Sequence, residues 1–158
     1  NSLDGEMIGF GGKFYQITSD GKAREILDDA VTPFAVVTFF EADKTVSIDG
    51  PLECKDLEKY ILSLLPSDNI FYAIKIDGRF ESMKTRSVPK QSEPFPPLAE
   101  VVKKESVFEL GNVEGTIAGY WFPEYLSGIG IDYNDDLQIS LPKTENFLDA
   151  DISDAAKH

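Results

Sequence analysis

Short apolar runs, most of them rich in β-branched and aromatic residues, recur along the chain and are separated by polar turns. Six of them are predicted to be strands: EMIGF, KFYQI, FAVVTFF, IFYAIKI, TIAGYWF and LQISL. Turn signals lie between the runs, at Gly11-Gly12, Asp20-Gly21 and Asp77-Gly78. The pattern predicts a β-rich protein in which tight turns join neighbouring strands.

One segment instead has helical periodicity. Between Cys54 and Leu65 apolar residues recur every three or four positions, and Pro66 ends the run. A shorter helix is predicted after Pro96-Pro97. The predicted fold class is therefore α+β and β-rich, with mixed or antiparallel sheets and one main helix at about 54–65.

Length and composition limit the classes of protein to consider. The 158 residues are enough for one domain, and the proline-rich stretch 88–97 is predicted to link two sub-lobes, at about 1–90 and 91–158. A net charge of −13 argues against nucleic acid and anionic membranes as partners. No apolar run approaches the roughly 20 residues of a membrane span. Because Cys54 is the only cysteine, no intrachain disulfide is possible, and we expect a cytoplasmic location.

A small cationic group stands out in this acidic chain: Arg79, Lys84, Arg86 and Lys90. If Asp77-Gly78 closes a two-residue hairpin, then Phe80, Ser82, Lys84 and Arg86 share one face of the returning strand. The functional interpretation is an anion site in which Arg86 offers its planar fork to a carboxylate. The alternative is a solvated strand edge, where lysine discourages pairing with other chains, and the pattern alone favours this alternative.

The sequence gives less support to histidine-dependent catalysis and to metal binding. The only histidine is His158, which excludes Ser-His-Asp, Cys-His and multi-histidine metal designs within these residues. Carboxylates cluster at Asp28-Asp29 and in DYNDD, 132–136, but neither has the spacing of a calcium loop. An interaction module with a divalent cation at DYNDD is a third hypothesis, from a different class.

Several longer stretches of the sequence resemble those of a known protein family. LDGEMIGFGGKFYQI, TPFAVVTFF, LPSDNIFYAIKIDGRF, KTRSVPKQ, PPLAEVV and GTIAGYWFPEYLSGIGI follow one another in the order and spacing of the bacterial α-acetolactate decarboxylase family. The similarity extends from about Leu3 to Ile131, and the tail LQISLPKTENFLDADI also resembles that family's C-terminal segment.

The resemblance implies an enzyme that converts 2-acetolactate to acetoin and carbon dioxide through a zinc-stabilised enediolate. It implies two β-rich lobes, a sheet and a barrel-like unit, and a homodimer. Glu6 of DGEMI matches the family's active-site glutamate and Arg86 of KTRSV its active-site arginine. Arg86 would meet the negative charge of the substrate and the enediolate, Glu6 would help to deliver the proton, and Lys84 is a further candidate for substrate binding.

The chain also departs from the family. The three zinc-binding histidines of the family, the segment before Asn1 and an acidic residue near the far C-terminus have no counterpart in these residues. We expect that the chain represents part of a complete zinc enzyme, since it starts at Asn1 without an initiator methionine. The alternative is a non-catalytic remnant of the same fold that binds a small organic anion or a partner chain.

Overall fold

The computed structural model describes residues 4–27, 29–32, 35–97, 100–101, 103–126 and 144–154, the last stretch by its backbone. The chain divides into two compact units. The first unit comprises Asn1–Val37 and Thr85–Glu109, and the second comprises Thr38–Lys84 and Leu110–His158. The chain crosses between the units three times, at 37–38, 84–85 and 109–110.

The described strands form two antiparallel sheets. A three-stranded sheet has the order β1-β2-β3, and a four-stranded sheet has the order β4-β7-β5-β6. The elements are β1 (Glu6–Phe10), β2 (Lys13–Ile17), β3 (Ala23–Glu25), β4 (Lys44–Ile48), α1 (Cys54–Leu64), β5 (Tyr72–Ser87), β6 (Ser106–Trp121), a 3₁₀ turn (Glu124–Leu126) and β7 (Thr144–Asp154).

In the first unit, the three-stranded sheet is built around two glycine turns. Gly11 and Gly12 both have positive φ, at 58° and 78°, and join β1 to β2 with Phe10 opposite Lys13. This is the two-residue turn that the sequence predicts. Gly21 (φ 74°) closes the turn between β2 and β3, where its amide donates to the Thr18 carbonyl at 2.9 Å.

In the second unit, helix α1 packs its apolar face against the sheet. Leu57 and Ile61, one turn apart, are almost completely buried, and Pro66 follows the C-cap residue Leu65. They join a single cluster of buried side chains from β4 and β5: Ile48, Tyr72, Ile74, Ile76 and Phe80. Burying each such side chain contributes roughly 1.5–3 kcal/mol, so this cluster stabilises the described part of the second unit substantially.

The predicted fold class is confirmed: the protein is β-rich, its described sheets are antiparallel, and a helix occupies nearly the predicted range. The strands predicted at EMIGF and KFYQI are present with the predicted bounds, whereas the runs IFYAIKI and TIAGYWF lie in strands that are much longer than predicted, Tyr72–Ser87 and Ser106–Trp121. The run LQISL lies outside the described residues. A barrel-like lobe stays a prediction, as does the division into sub-lobes at about residue 90.

The prediction of a hairpin at Asp77-Gly78 was wrong. Both residues lie inside the continuous strand β5, where they pair with Asp149 and Leu148 of β7. The irregularity is a register shift between Gly78 and Phe80, which is typical of a glycine inside a strand. Phe80 is buried in the core, whereas Lys84 and Arg86 are exposed, so the predicted common face of these three residues is also wrong.

The strand predicted at FAVVTFF was also wrong for its described part, 35–40, which has no regular secondary structure. Apolar, β-branched composition favours a strand only when a neighbouring backbone is available to receive its hydrogen bonds. Here Val37 and Phe39 are instead exposed over most of their surface. Within the described residues, no helix is both long and apolar enough to cross a membrane.

Candidate functional site

The Ile17 carbonyl at the end of β2 is a meeting point of two segments in the first unit. Glu6 lies opposite Ile17 in the β1–β2 register, and Gly5 packs so closely that an added Cβ would lie 2.1 Å from the Ile17 oxygen. From the other side, the completely buried hydroxyl of Ser87 donates to the same oxygen at 2.7 Å. The start of β1 and the end of β5 are thereby held together.

A further backbone bond fixes these two segments side by side. The Gly5 amide donates to the Val88 carbonyl at 3.0 Å. Glu6 follows Gly5 and Arg86 precedes Ser87, so the two residues that the family resemblance singles out become neighbours in space. The structure therefore brings Glu6 and Arg86 together, although 79 residues separate them along the sequence.

Three charged side chains converge at this point: Glu6, Arg86 and Glu105, here called the charged cluster. Arg86 Nη1 lies 3.4 Å from Glu105 Oε2. The Arg86 guanidinium and the Glu105 carboxylate both act electrostatically on the Glu6 carboxyl. The cluster thus contains two carboxyl groups and one cation, with the cation close to both.

The pKa of Glu6 is raised above its ordinary value. The largest cause is partial withdrawal of its carboxyl from water, which disfavours the charged form. The negative charge of Glu105 raises the pKa of Glu6 further. Two other groups lower the pKa: the positive charge of Arg86, and the Val88 amide, which donates a hydrogen bond to the carboxyl. Glu6 therefore holds its proton to a higher pH than a free glutamate, as a group that delivers a proton needs to do.

The cationic group noted in the sequence is largely neutralised in the structure. Arg86 is paired with Glu105, as described above. In the second unit, Arg79 Nη2 lies 3.6 Å from Glu114 Oε2. In the first unit, Lys90 Nζ lies 3.6 Å from Asp4 Oδ2. Lys84 is exposed and forms no ion pair with any described residue, so a substrate-binding role for it stays a prediction. Of these four cations, Arg86 is the one whose charge acts on the Glu6 carboxyl.

The described residues do not fit a zinc site. Among them, no group of three or more histidine, cysteine, aspartate or glutamate side chains is arranged to hold a metal ion. The charged cluster offers two carboxyl groups together with a cationic guanidinium, whereas zinc prefers neutral imidazole or thiolate ligands. His158 and the DYNDD segment lie outside the described residues.

Glu105 is a member of the cluster that sequence reasoning missed. It lies just before β6, in a stretch where two lysines and two glutamates carry no periodic pattern. The one available signal was general: an arginine on a strand of an acidic protein is expected to have a carboxylate partner. Which of the 28 acidic residues supplies it depends on the tertiary structure.

The aromatic residues near the end of β6 have structural contacts. Trp121 packs against the core cluster of the second unit. Tyr120 and Phe122 lie next to each other, with ring centroids 6.0 Å apart, and Phe122 meets Phe71 edge-on at 5.6 Å. Cys54 packs against the same core, so no chemistry is assigned to it.

Comparison with known proteins identifies the relatives of this chain. The family model described as alpha-acetolactate decarboxylase matches residues 1–133. The alpha-acetolactate decarboxylase of Bacillus subtilis is 47% identical over 131 residues, and that of Methylococcus capsulatus is 44% identical over the same length. These alignments cover 83% of this chain but 51% and 50% of the two relatives, so the chain spans about half their length.

Solved structures agree with the sequence comparison. The crystal structure of alpha-acetolactate decarboxylase from Bacillus subtilis strain 168 superimposes with a TM-score of 0.83 at 41% identity, covering 96% of this chain and 68% of that one. A Staphylococcus aureus protein of unknown function, similar to alpha-acetolactate decarboxylase, superimposes with a TM-score of 0.81 at 26% identity. The similarity therefore covers the arrangement of the elements as well as the sequence.

Proposed function

Because the chain belongs to the alpha-acetolactate decarboxylase family, we propose that the complete protein containing it converts 2-acetolactate to acetoin and carbon dioxide. The observation that carries the proposal is the proximity of the Arg86 guanidinium, which is paired with Glu105, to the carboxyl group of Glu6, whose pKa is raised. A cation beside a carboxyl group with a raised pKa matches the two needs of this reaction, stabilisation of negative charge and delivery of a proton.

Decarboxylation of 2-acetolactate breaks the bond between C2 and the carboxylate. Carbon dioxide leaves, and the electron pair of that bond moves onto C2 and the adjacent ketone as an enediolate. A cation beside the reacting carbons stabilises this charge, and its guanidinium geometry also suits the carboxylate of the substrate. A proton must then be delivered to C2 to give acetoin. In this proposal Arg86 carries out the first task and Glu6 the second.

The raised pKa of Glu6 supports its role. A carboxyl group that is ionised throughout the working pH range has no proton to deliver, whereas a group with a raised pKa is protonated for a larger fraction of the time. The Val88 amide holds one side of the carboxyl, which limits its rotation and directs it relative to Arg86. Both features favour a proton donor with a defined orientation, although the Glu6 side chain is exposed.

Zinc stays a proposal drawn from the resemblance alone. When bound, it would act as a Lewis acid on the ketone oxygen of the substrate. Since the described residues do not fit a zinc site, no step is assigned to it here. The homodimer and the cytoplasmic location are likewise predictions from sequence, and gel filtration with light scattering of the complete protein would test the first of them.

The test is an activity assay of the complete protein, purified without chelator and supplied with racemic 2-acetolactate. Acetoin and carbon dioxide are expected in equal amounts. Arg86→Lys keeps the charge but loses the planar fork, and kcat/KM is expected to fall about 100-fold, as when one oxyanion donor is removed. The matched control is Arg79→Lys, which alters an exposed arginine with a similar ion pair and is expected to leave kcat/KM unchanged.

Each result has a defined meaning. A folded wild-type protein that forms no acetoin would overturn the proposed reaction, and retained binding of an unreactive anion by that protein would favour the non-catalytic alternative. Normal turnover by Arg86→Lys would show that charge without the guanidinium fork is sufficient. Loss of activity in both arginine variants would mean that the effect is not specific to the cluster.

A further inference from the structure

Glu105 is placed to control the geometry of Arg86. Its side chain is the more buried member of their ion pair, with 23% of its surface exposed against 41% for Arg86. Removing one partner of a half-buried ion pair changes the free energy more than breaking an ion pair on the open surface does. Arg86 is also exposed enough to keep some of its five N–H donors available to a ligand.

The segment that carries Glu105 is anchored on both sides. On one side, the amides of Glu100 and Val101 donate to the Pro97 carbonyl, and Val101 is buried with 3% of its surface exposed. The Lys104 amide then donates to the Val101 carbonyl at 2.9 Å, which ends this helical turn immediately before Glu105.

The second anchor follows within three residues. The ring of Phe108 on β6 packs so closely over Gly21 that a Cβ added to that glycine would lie 2.7 Å from it. Glu105 is therefore held between a buried valine and a packed aromatic ring. Contacts of the first unit other than the ion pair therefore restrain the backbone on both sides of Glu105.

We propose that Glu105 is a positioning residue, which fixes the Arg86 guanidinium beside the Glu6 carboxyl for the reaction proposed above. An arginine side chain has four rotatable bonds, and an unanchored one would sample many orientations relative to a substrate. Holding one edge of the guanidinium leaves its remaining donors in a fixed direction, which is how a preorganised charge lowers a barrier. The proposal rests on the proposed function.

Glu105 has a second effect, on the proton donor. Its charge contributes to the raised pKa of Glu6, which Arg86 opposes. Arg86, near the end of β5, and Glu105, just before β6, are the charged groups that act on Glu6 among the described residues, while Ile17 of β2 opposite it is uncharged. Removing the charge of Glu105 should therefore lower the pKa of Glu6.

The test uses Glu105→Gln in the complete protein, because glutamine keeps the size and the acceptor oxygen but loses the charge. We expect kcat/KM to fall about 10-fold, since small displacements of a catalytic group reduce rates by up to 100-fold. The limb of the kcat profile on which activity is lost with rising pH should move to lower pH. The matched control is Glu114→Gln, which breaks the exposed pair with Arg79 and should change neither quantity.

A double-mutant cycle separates positioning from a general structural role. If Glu105 acts through Arg86, then Glu105→Gln should reduce kcat/KM by less than about twofold in an Arg86→Ala background, because coupled residues are non-additive. An equal reduction in both backgrounds, or a lower melting temperature with unchanged kinetics and pH profile, would overturn the proposal.

The activity of the wild-type protein distinguishes the two proposals. If the wild type forms acetoin and Glu105→Gln has the same kcat/KM, only the positioning role fails. If the wild type forms no acetoin, both proposals fail.

Discussion

Replacing Gly5 by alanine should be one of the most damaging small changes in the first unit. Gly5 is buried at φ 79°, and a Cβ at this position would meet three backbone atoms of Ile17 and Thr18, the closest at 2.1 Å. Real Cβ atoms do not approach a carbonyl oxygen so closely, and the oxygen belongs to backbone that cannot rotate away. Either β1 or β2 has to move.

A matched control separates the expected loss in the free energy of unfolding of Gly5→Ala into two parts. Gly12 has nearly the same φ, 78°, but nothing lies within 4 Å of the position that its Cβ would occupy. Gly12→Ala therefore reports the conformational cost of a left-handed alanine, about 1–2 kcal/mol. Gly5→Ala adds overpacking against the backbone, about 1–3 kcal/mol, which gives a total of about 2–5 kcal/mol.

Further contacts at Gly5 extend the effect to the charged cluster. Movement of Gly5 weakens the bond from its amide to the Val88 carbonyl and displaces Glu6, the next residue. The activity of Gly5→Ala should therefore fall even in the fraction that remains folded. Gly12→Ala, at the opposite end of β1, should keep its activity.

The assay is urea unfolding of both variants followed by far-ultraviolet circular dichroism, with kcat/KM measured on each below its unfolding transition. The expected result is a lower free energy of unfolding for Gly5→Ala than for Gly12→Ala, by at least 1 kcal/mol. Equal losses in the two variants would refute the reasoning, because they would show that backbone conformation alone, and not the contact with Ile17, decides the effect.

Two more predictions concern the same region. Ser87→Ala leaves the Ile17 carbonyl without its buried donor and should lower the free energy of unfolding by about 1–3 kcal/mol, whereas Ser63→Ala, which removes an exposed bond to Tyr60, should lower it by less than about 0.5 kcal/mol. Similar losses in the two serine variants would contradict the importance of burial. Because the folded pKa of Glu6 lies above its unfolded value, Glu6 destabilises the fold as pH rises through that interval, so Glu6→Gln should be relatively more stable at pH 7 than at pH 4. Urea unfolding at both pH values tests this, and a pH-independent difference between wild type and variant would disprove it.

Much of the local structure was predictable because it depends on neighbouring residues. The glycine pair Gly11-Gly12 can adopt the positive φ values of a two-residue hairpin, and the spacing of Leu57 and Ile61 places both on one face of a helix. The order of longer sequence stretches identified the family, and with it Glu6 and Arg86. These inferences did not require knowledge of which segments meet.

Pairing between distant segments was decided only by the tertiary structure. Strand β4 was not predicted, and it exists because β7, far along the chain, supplies its hydrogen-bond partners. The same partner strand keeps Asp77-Gly78 extended, although that dipeptide favours a turn in isolation. Conversely, 35–40 has strand-like composition but no paired strand in the described structure, and it forms none.

The candidate site divides in the same way. The sequence by itself determined that Glu6 and Arg86 are its candidate residues, through the stretches around them. The tertiary structure decided that they are neighbours, through the contacts of Gly5 and Ser87 with Ile17, and that Glu105 completes the cluster. The physical reason is that side-chain periodicity reflects local backbone geometry, whereas the pKa of Glu6 and the partner of Arg86 depend on charges and burial that only folding brings together.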